Sequence, residues 1–89
     1  MHIPLISGTF TIAEAEELLI AIFKTKIAFH ENKIRTIHEA EEDIKHAEKK
    51  ILQLEESLRN AIRKLKDCGQ THTSLHAAIE LTTMARLTQ

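Results

Sequence analysis

The sequence predicts an all-α protein: an antiparallel helical hairpin with helices over about residues 11–35 and 37–68, followed by a short C-terminal extended segment. Two features of the composition point to long helices. No Gly or Pro occurs between Gly8 and Gly69, and the chain lacks Val, Trp and Tyr, on which short strands usually draw. The third observation is a heptad repeat of apolar residues in the second half of the chain. Two such helices alone cannot bury all their apolar positions, so we expect the hairpin to assemble as a four-helix bundle dimer.

The length and charge of the chain exclude several classes of protein. With 89 residues we expect a single domain over 1–89, made of an N-terminal arm (1–10), the helical hairpin (11–68) and a C-terminal tail (69–89). Twelve basic and thirteen acidic residues give a net charge of −1, which argues against a nucleic-acid partner. No apolar run is long enough to span a membrane, and the single cysteine favours a reducing compartment. We therefore expect a cytoplasmic protein without a membrane partner.

The first helix begins at a capping box. Thr11 can accept a hydrogen bond from the backbone of the first turn, and Glu14, three residues later, can return one. Apolar positions from Ile12 to Ile34 spread over roughly 200° of the helical wheel. A single neighbouring helix cannot cover a face of that width, so the first helix is expected to contact more than one partner.

The second helix carries the heptad repeat. Its apolar positions recur at the spacing of a helix that packs against other helices, and small Ala residues between them allow close approach. Basic residues and Gly69 at the end of the repeat are typical of a helix C-terminus. The positions expected to form the assembly seam are Ile37, Ile44, Ile51, Leu54, Leu58 and Leu65.

The connection between the helices allows two interpretations. One continuous helix from Ile12 to Asp67 is favoured by the lack of any helix breaker between them. Two helices are favoured by a second capping-box pattern at 36–39 and by acidic starts and basic ends that occur twice along the chain. We prefer the hairpin, with its turn between Arg35 and Asp43.

The C-terminal tail also allows two interpretations. Apolar residues alternate with other residues from Leu75 to Leu81, which is the period of a strand. Such a strand could pair with the region of Ile3 to Ile6. A short helix beginning at Ser74 is the alternative.

Two motifs in the first helix resemble those of a known family. The chain reads F-T-x-x-E-A-x-x-L-L from Phe10 to Leu19 and K-I-x-F-H-x-x-K from Lys26 to Lys33. Over these residues it is similar to a family of short, uncharacterised bacterial proteins built from two helices and a short C-terminal extended segment. The resemblance implies the hairpin and implies no activity.

Six histidines make a metal site one hypothesis. Cys68, His72 and His76 have the spacing of one helix face, and sets of Cys and His bind zinc. The helix is expected to end directly after Cys68, however, where this residue would be a small buried side chain rather than a nucleophile. Asp43 and Glu42, each spaced from His46 along one helix, resemble the carboxylate–histidine pairs of di-iron bundles, but Glu42 and His46 lie off the seam. We therefore predict no metal, no cofactor and no catalytic residue.

A cluster of polar residues interrupts the apolar face of the first helix. Lys26, His30 and Lys33 lie close together at helical spacing. One interpretation is a site for an anion or an acidic partner. The preferred interpretation is structural: the lysine stems pack, and their charges pair with the acidic start of the second helix.

These features predict a small, non-enzymatic helical interaction or scaffold protein that associates with itself as a homodimer or larger assembly. Besides a second copy of the chain, such a protein could bind one further protein, which the sequence does not identify. The alternative is a regulatory module that binds an anionic ligand or an acidic partner through Lys26, His30 and Lys33. A metal-dependent bundle enzyme is the least favoured hypothesis.

Overall fold

The chain folds as two helices flanked by two strands. The computed structural model describes residues 1–36 and 41–85. The two strands form one antiparallel sheet, so that the first and last elements are neighbours. In chain order, the elements are β1 (His2–Thr11), α1 (Ile12–Thr36), α2 (Glu41–Asp67) and β2 (His72–Glu80).

The fold is a mixture of helix and sheet, and the prediction of an all-α helical hairpin that assembles as a four-helix bundle dimer is wrong. The predicted fold class treated residues 1–10 as an arm and kept the pairing of the tail with the region of Ile3 to Ile6 only as one alternative, because a strand whose partner lies some seventy residues away leaves little local signal in the sequence. Pro4 and Gly8 also interrupt its apolar pattern. In the tail, the strand is the correct alternative: Ile3 lies opposite Ile79 and Ile6 opposite Ala77.

The sheet has one apolar and one polar face. Directly opposed residues share a face, and the pairs Ile6–Ala77 and Gly8–Leu75 lie on the apolar side. The register shifts between Pro4 and Ile6, where Leu5 is the additional residue of a β-bulge. Half-buried and exposed residues alternate along both strands, so only one face of the sheet is partly covered.

Strands and helices meet at a single junction. Thr11 Oγ1 accepts a hydrogen bond from the Glu14 backbone N–H (3.1 Å), and Glu14 Oε1 accepts one from the Thr11 N–H (2.9 Å), which confirms the predicted capping box. The Ile12 N–H donates to the Thr71 carbonyl oxygen at 3.3 Å, which places the start of α1 beside the start of β2. Gly69 adopts a φ of +70°, the left-handed conformation that terminates helices such as α2.

The two helices lie side by side and run in opposite directions. Near the junction, the Glu16 carboxylate at the start of α1 lies 3.8 Å from the Lys66 ammonium at the end of α2. The single helix from Ile12 to Asp67 that the sequence also allowed is therefore not formed. The predicted turn falls largely on residues 37–40, which lie outside the described part of the chain.

The seam predicted on α2 is only half buried. Ile44, Ile51, Leu54, Leu58 and Leu65 each retain intermediate exposure. Ile37 lies outside the described residues. α2 ends at Asp67, so Cys68 follows the helix and is exposed rather than buried as predicted.

The hydrophobic core of a single chain is incomplete. Ala15 is the one apolar residue of the described chain that is fully buried, and none of the described large apolar side chains is. The radius of gyration is 16.5 Å, whereas a compact domain of this length would have about 12 Å. The chain therefore folds into an elongated, thin shape with its apolar surfaces partly open.

Candidate functional site

A cleft of about 250 Å³ lies at the end of the helix pair far from the sheet junction. The last turns of α1 form one wall and the first turns of α2 form the other. The cleft is open to solvent and combines apolar walls with ionisable groups. Its lining residues are His30, Lys33, Ile34, Asp43, Ile44, His46, Ala47 and Lys50.

Helical spacing brings the ionisable groups of the cleft together. On α1, His30 and Lys33 are three residues apart and therefore share a face. On α2, His46 follows Asp43 by three residues and precedes Lys50 by four, which gives a second row on the facing helix. The cleft thus holds two lysines and two imidazoles against one described carboxylate.

The positive charges act on His30. Partial desolvation in the cleft lowers the pKa of His30 below its ordinary value of 6.5, and the charges of Lys50, Lys26 and Lys33 lower it further. Both effects disfavour the imidazolium. At neutral pH, the uncharged imidazole is therefore the favoured form of His30, which lines the cleft together with Lys33 and Lys50.

Phe29 forms one flank of this site. Its ring meets the His30 imidazole edge-on, with 5.6 Å between ring centroids and an interplanar angle of 74°. The Lys33 ammonium lies 6.0 Å from the centroid of the same ring, at the limit of a cation–π contact. Phe29 nevertheless remains 63% exposed, so it is an uncovered aromatic group at the rim of the cleft.

The structure brings two of the three residues of the predicted polar cluster into the cleft. His30 and Lys33 line the cleft, whereas Lys26 lies outside its wall and influences it through its charge. Among the side chains that the structure describes, no carboxylate forms an ion pair with Lys26 or Lys33, although Asp43 lines the same cleft.

Sequence reasoning missed Lys50 as a member of this site. The i, i+4 spacing of His46 and Lys50 was available as a signal. Whether that pair faces His30 depends on how α1 and α2 are aligned along each other, which the sequence did not define.

A second and wider cleft lies between the same helices. It is more open, and it carries one cation, Arg35, with two carboxylates, Glu31 and Glu48, so its lining has an excess of negative charge. Ile34 lines both clefts and separates them. With one more carboxylate than cations, the second cleft does not favour an anionic ligand.

The residues considered for metal binding do not form a ligand set. Cys68 follows α2, where its Sγ donates to the Leu65 carbonyl oxygen (3.0 Å), while His72 and His76 belong to β2. Within residues 1–36 and 41–85, no group of three or more His, Cys, Asp and Glu side chains has the geometry to hold a metal ion.

On the polar face of the sheet, His76 takes part in two exposed side-chain hydrogen bonds. His76 Nδ1 lies 3.1 Å from Ser7 Oγ, and His76 Nε2 lies 2.8 Å from Ser74 Oγ. These contacts tie the imidazole across the two strands. No cavity adjoins them among the clefts described above, so they fix the position of a surface ring.

Comparison with known proteins gives no assignment. No protein-family model matches the chain, and neither a curated protein nor a solved structure does. The resemblance to short bacterial two-helix proteins stays a prediction. No described helix combines the length and the apolar character needed to cross a membrane.

Proposed function

We propose that this chain is a small, non-enzymatic interaction protein that works as a self-associated scaffold. The observation that carries this proposal is the open core. Large apolar side chains remain exposed on both the helices and the sheet, among them Leu52 on α2 (64% exposed) and Leu81 beyond β2 (51%). Exposed apolar surface on this scale is typical of chains that associate.

The accessible surface supports association quantitatively. A single chain exposes 7396 Å². A compact folded monomer of 10.1 kDa would expose about 5,300 Å². The excess is about 2,100 Å², and a stable interface of ordinary size removes about 800 Å² from each partner. A second copy of the chain can therefore bury a full interface on surface that a monomer would not normally expose.

The mass of the purified protein tests this proposal. We expect light scattering at micromolar concentration to give the mass of two chains or more, because association removes apolar surface from water. A monomeric mass together with a full helical circular dichroism spectrum would contradict the proposal.

The basic cleft supports a second candidate function, the binding of a small anion. The specific observation is that two lysines from different helices, Lys33 and Lys50, converge on His30 with a third, Lys26, nearby. Ammonium groups and imidazole N–H groups are donors suited to phosphate or carboxylate oxygens. A bound anion that held the end of α1 against the start of α2 would give the chain a regulatory role, because its shape would then depend on the ligand.

A titration with inorganic phosphate tests this second candidate. We expect phosphate to shift the His30 imidazole resonance in a saturable manner and to raise the pKa of His30, because an anion favours the imidazolium. Lys50→Gln should weaken the binding, whereas Lys49→Gln, next to it but outside the cleft, should not. Equal effects of the two substitutions would contradict a site in the cleft.

A further inference from the structure

The two outer edges of the sheet differ in the backbone groups that they present. The hydrogen bonds at one end of the sheet show which residues of each strand point their N–H and C=O groups outward. Leu81 N–H donates to the Met1 carbonyl oxygen (2.7 Å), and the Met1 amino group donates to the Leu81 carbonyl oxygen (2.8 Å). In an antiparallel ladder, such reciprocal pairs alternate with pairs whose N–H and C=O groups point away. At the other end, Thr71 accepts a bond from Ile12, which fits the same alternation.

This alternation identifies the residues of β2 whose backbone groups point outward. Odd-numbered residues of β2 bond to β1, so the even-numbered residues direct their N–H and C=O groups outward. These residues are His72, Ser74, His76, Ala78 and Glu80. They form a row of outward N–H donors and carbonyl acceptors over the whole strand, in which the Ser74 carbonyl oxygen also accepts a bond from Thr73 Oγ1 at 3.5 Å.

The outer edge of β1 is blocked, whereas that of β2 is not. Pro4 is an outward-facing position of β1 and has no N–H to donate. The bulge at Leu5 further breaks the regular spacing of that edge. β2 contains neither proline, glycine, lysine nor a bulge, the features that usually protect an exposed edge strand.

The β2 edge is also complementary to itself. An antiparallel pairing that uses all nine residues of β2 is centred on His76, which then lies opposite His76 of a second copy. In that register, Leu75 lies opposite Ala77 on the apolar face, so a large side chain meets a small one. At the ends, His72 lies opposite the Glu80 carboxylate of the second copy.

We propose that the free edge of β2 pairs antiparallel with β2 of a second copy of this chain. The result is a four-stranded sheet in the order β1–β2–β2–β1, with the apolar faces of both copies on the same side. This inference rests on the self-association proposed above and adds the surface through which it occurs. The occupant is a second copy because this pairing sets His72 of each copy opposite Glu80 of the other and because the excess surface of each chain is larger than the area that an interface between two copies removes from it.

Disulfide formation between copies tests the register. In a Cys68→Ser background, His76→Cys places two thiols opposite each other, with Cα atoms about 5.5 Å apart, inside the range that a disulfide spans. Ser7→Cys is the matched control, because Ser7 lies opposite His76 on the same exposed face but on β1. In the proposed dimer, the two Ser7 positions are separated by three strand spacings, about 14 Å.

Under oxidised glutathione, we expect His76→Cys to form the disulfide-linked dimer at least about tenfold faster than Ser7→Cys, because the paired strands raise the local thiol concentration. Equal rates, or no linkage of His76→Cys, would overturn the proposed edge. The mass of the Cys68→Ser parent separates the two claims. If that parent is a dimer while His76→Cys fails to link, only the edge assignment is wrong; if it is a monomer, self-association itself is wrong.

A pair of proline variants gives an independent test. Ser74→Pro removes an outward N–H from the β2 edge, and Thr9→Pro removes the corresponding outward N–H from β1 on the same rung of the ladder. Neither removes a bond between β1 and β2. We expect Ser74→Pro to yield monomers and Thr9→Pro to keep the parental mass. The opposite pattern would assign the interface to β1, and if either variant fails to fold, the disulfide experiment decides.

Discussion

At the scale of single residues, the two ends of the helix pair are fixed by local backbone chemistry. Thr11 and Glu14 satisfy two of the free N–H groups at the start of α1. We expect Thr11→Ala to lower the free energy of unfolding by about 1 kcal/mol, since it removes the cap. Thr25→Ala, in the middle of α1, should change it by less than about 0.5 kcal/mol. Chemical denaturation measures both, and equal losses would show that the cap is not formed.

Gly69 ends α2 in a conformation that other residues adopt at a cost. Its φ is +70°, and nothing within 4 Å would obstruct a Cβ atom, so the cost of a substitution is conformational rather than steric. We expect Gly69→Ala to destabilise the protein by about 1–2 kcal/mol and Gly69→Asn by less, because Asn tolerates the left-handed region. Equal stability of Gly69→Ala and the parent would contradict this conformation.

His30 should make stability depend on pH. Its pKa is lower in the folded chain than the value of 6.5 expected when unfolded, so the unfolded chain binds more protons. The free energy of unfolding should therefore rise as pH increases through this range and fall as pH drops below 6.5. Between about pH 5 and 7.5, we expect a shallower rise for His30→Gln than for the parent. Superimposable profiles would contradict a lowered pKa of His30.

At the scale of elements, the helices could be recognised from the sequence because their signals are local. The apolar period, the capping box and Gly69 all lie within a few residues of what they specify. β1 could be recognised only in part, as a region around Ile3 to Ile6 with which a tail strand could pair, because Pro4 and Gly8 interrupt its apolar pattern and its partner lies at the opposite end of the chain. Lys50 joins His30 only through the packing of α1 against α2, which explains why the sequence yielded only the α1 half of the cleft.

The unequal exposure of α2 yields a prediction of its own. Leu54 is half buried, whereas Leu52, at the edge of the second cleft, is 64% exposed. We expect Leu54→Ala to cost about 1–2 kcal/mol of unfolding free energy, below the range for fully buried leucines, and Leu52→Ala to cost less than about 0.5 kcal/mol. A larger loss for Leu52→Ala would place an interface on that side of α2 rather than on the sheet.

At the scale of the whole molecule, the fold is a thin β-α-α-β unit whose parts meet at one junction. The sheet leaves one strand edge unprotected, and the helices leave their shared face half buried. Both observations agree with the open core, in which Ala15 is the one described apolar residue that is fully buried. We propose that association with a second copy covers part of the surface that the single chain leaves open.

The dependence of the melting temperature on protein concentration tests this claim most directly. Self-association couples folding to chain concentration, so the melting temperature of an assembled protein rises as the chain concentration increases. We expect the melting temperature, measured by circular dichroism, to rise steadily across a thousandfold range of protein concentration. A melting temperature that stays constant over the whole range would show that the single chain is stable alone and would contradict the proposed self-association.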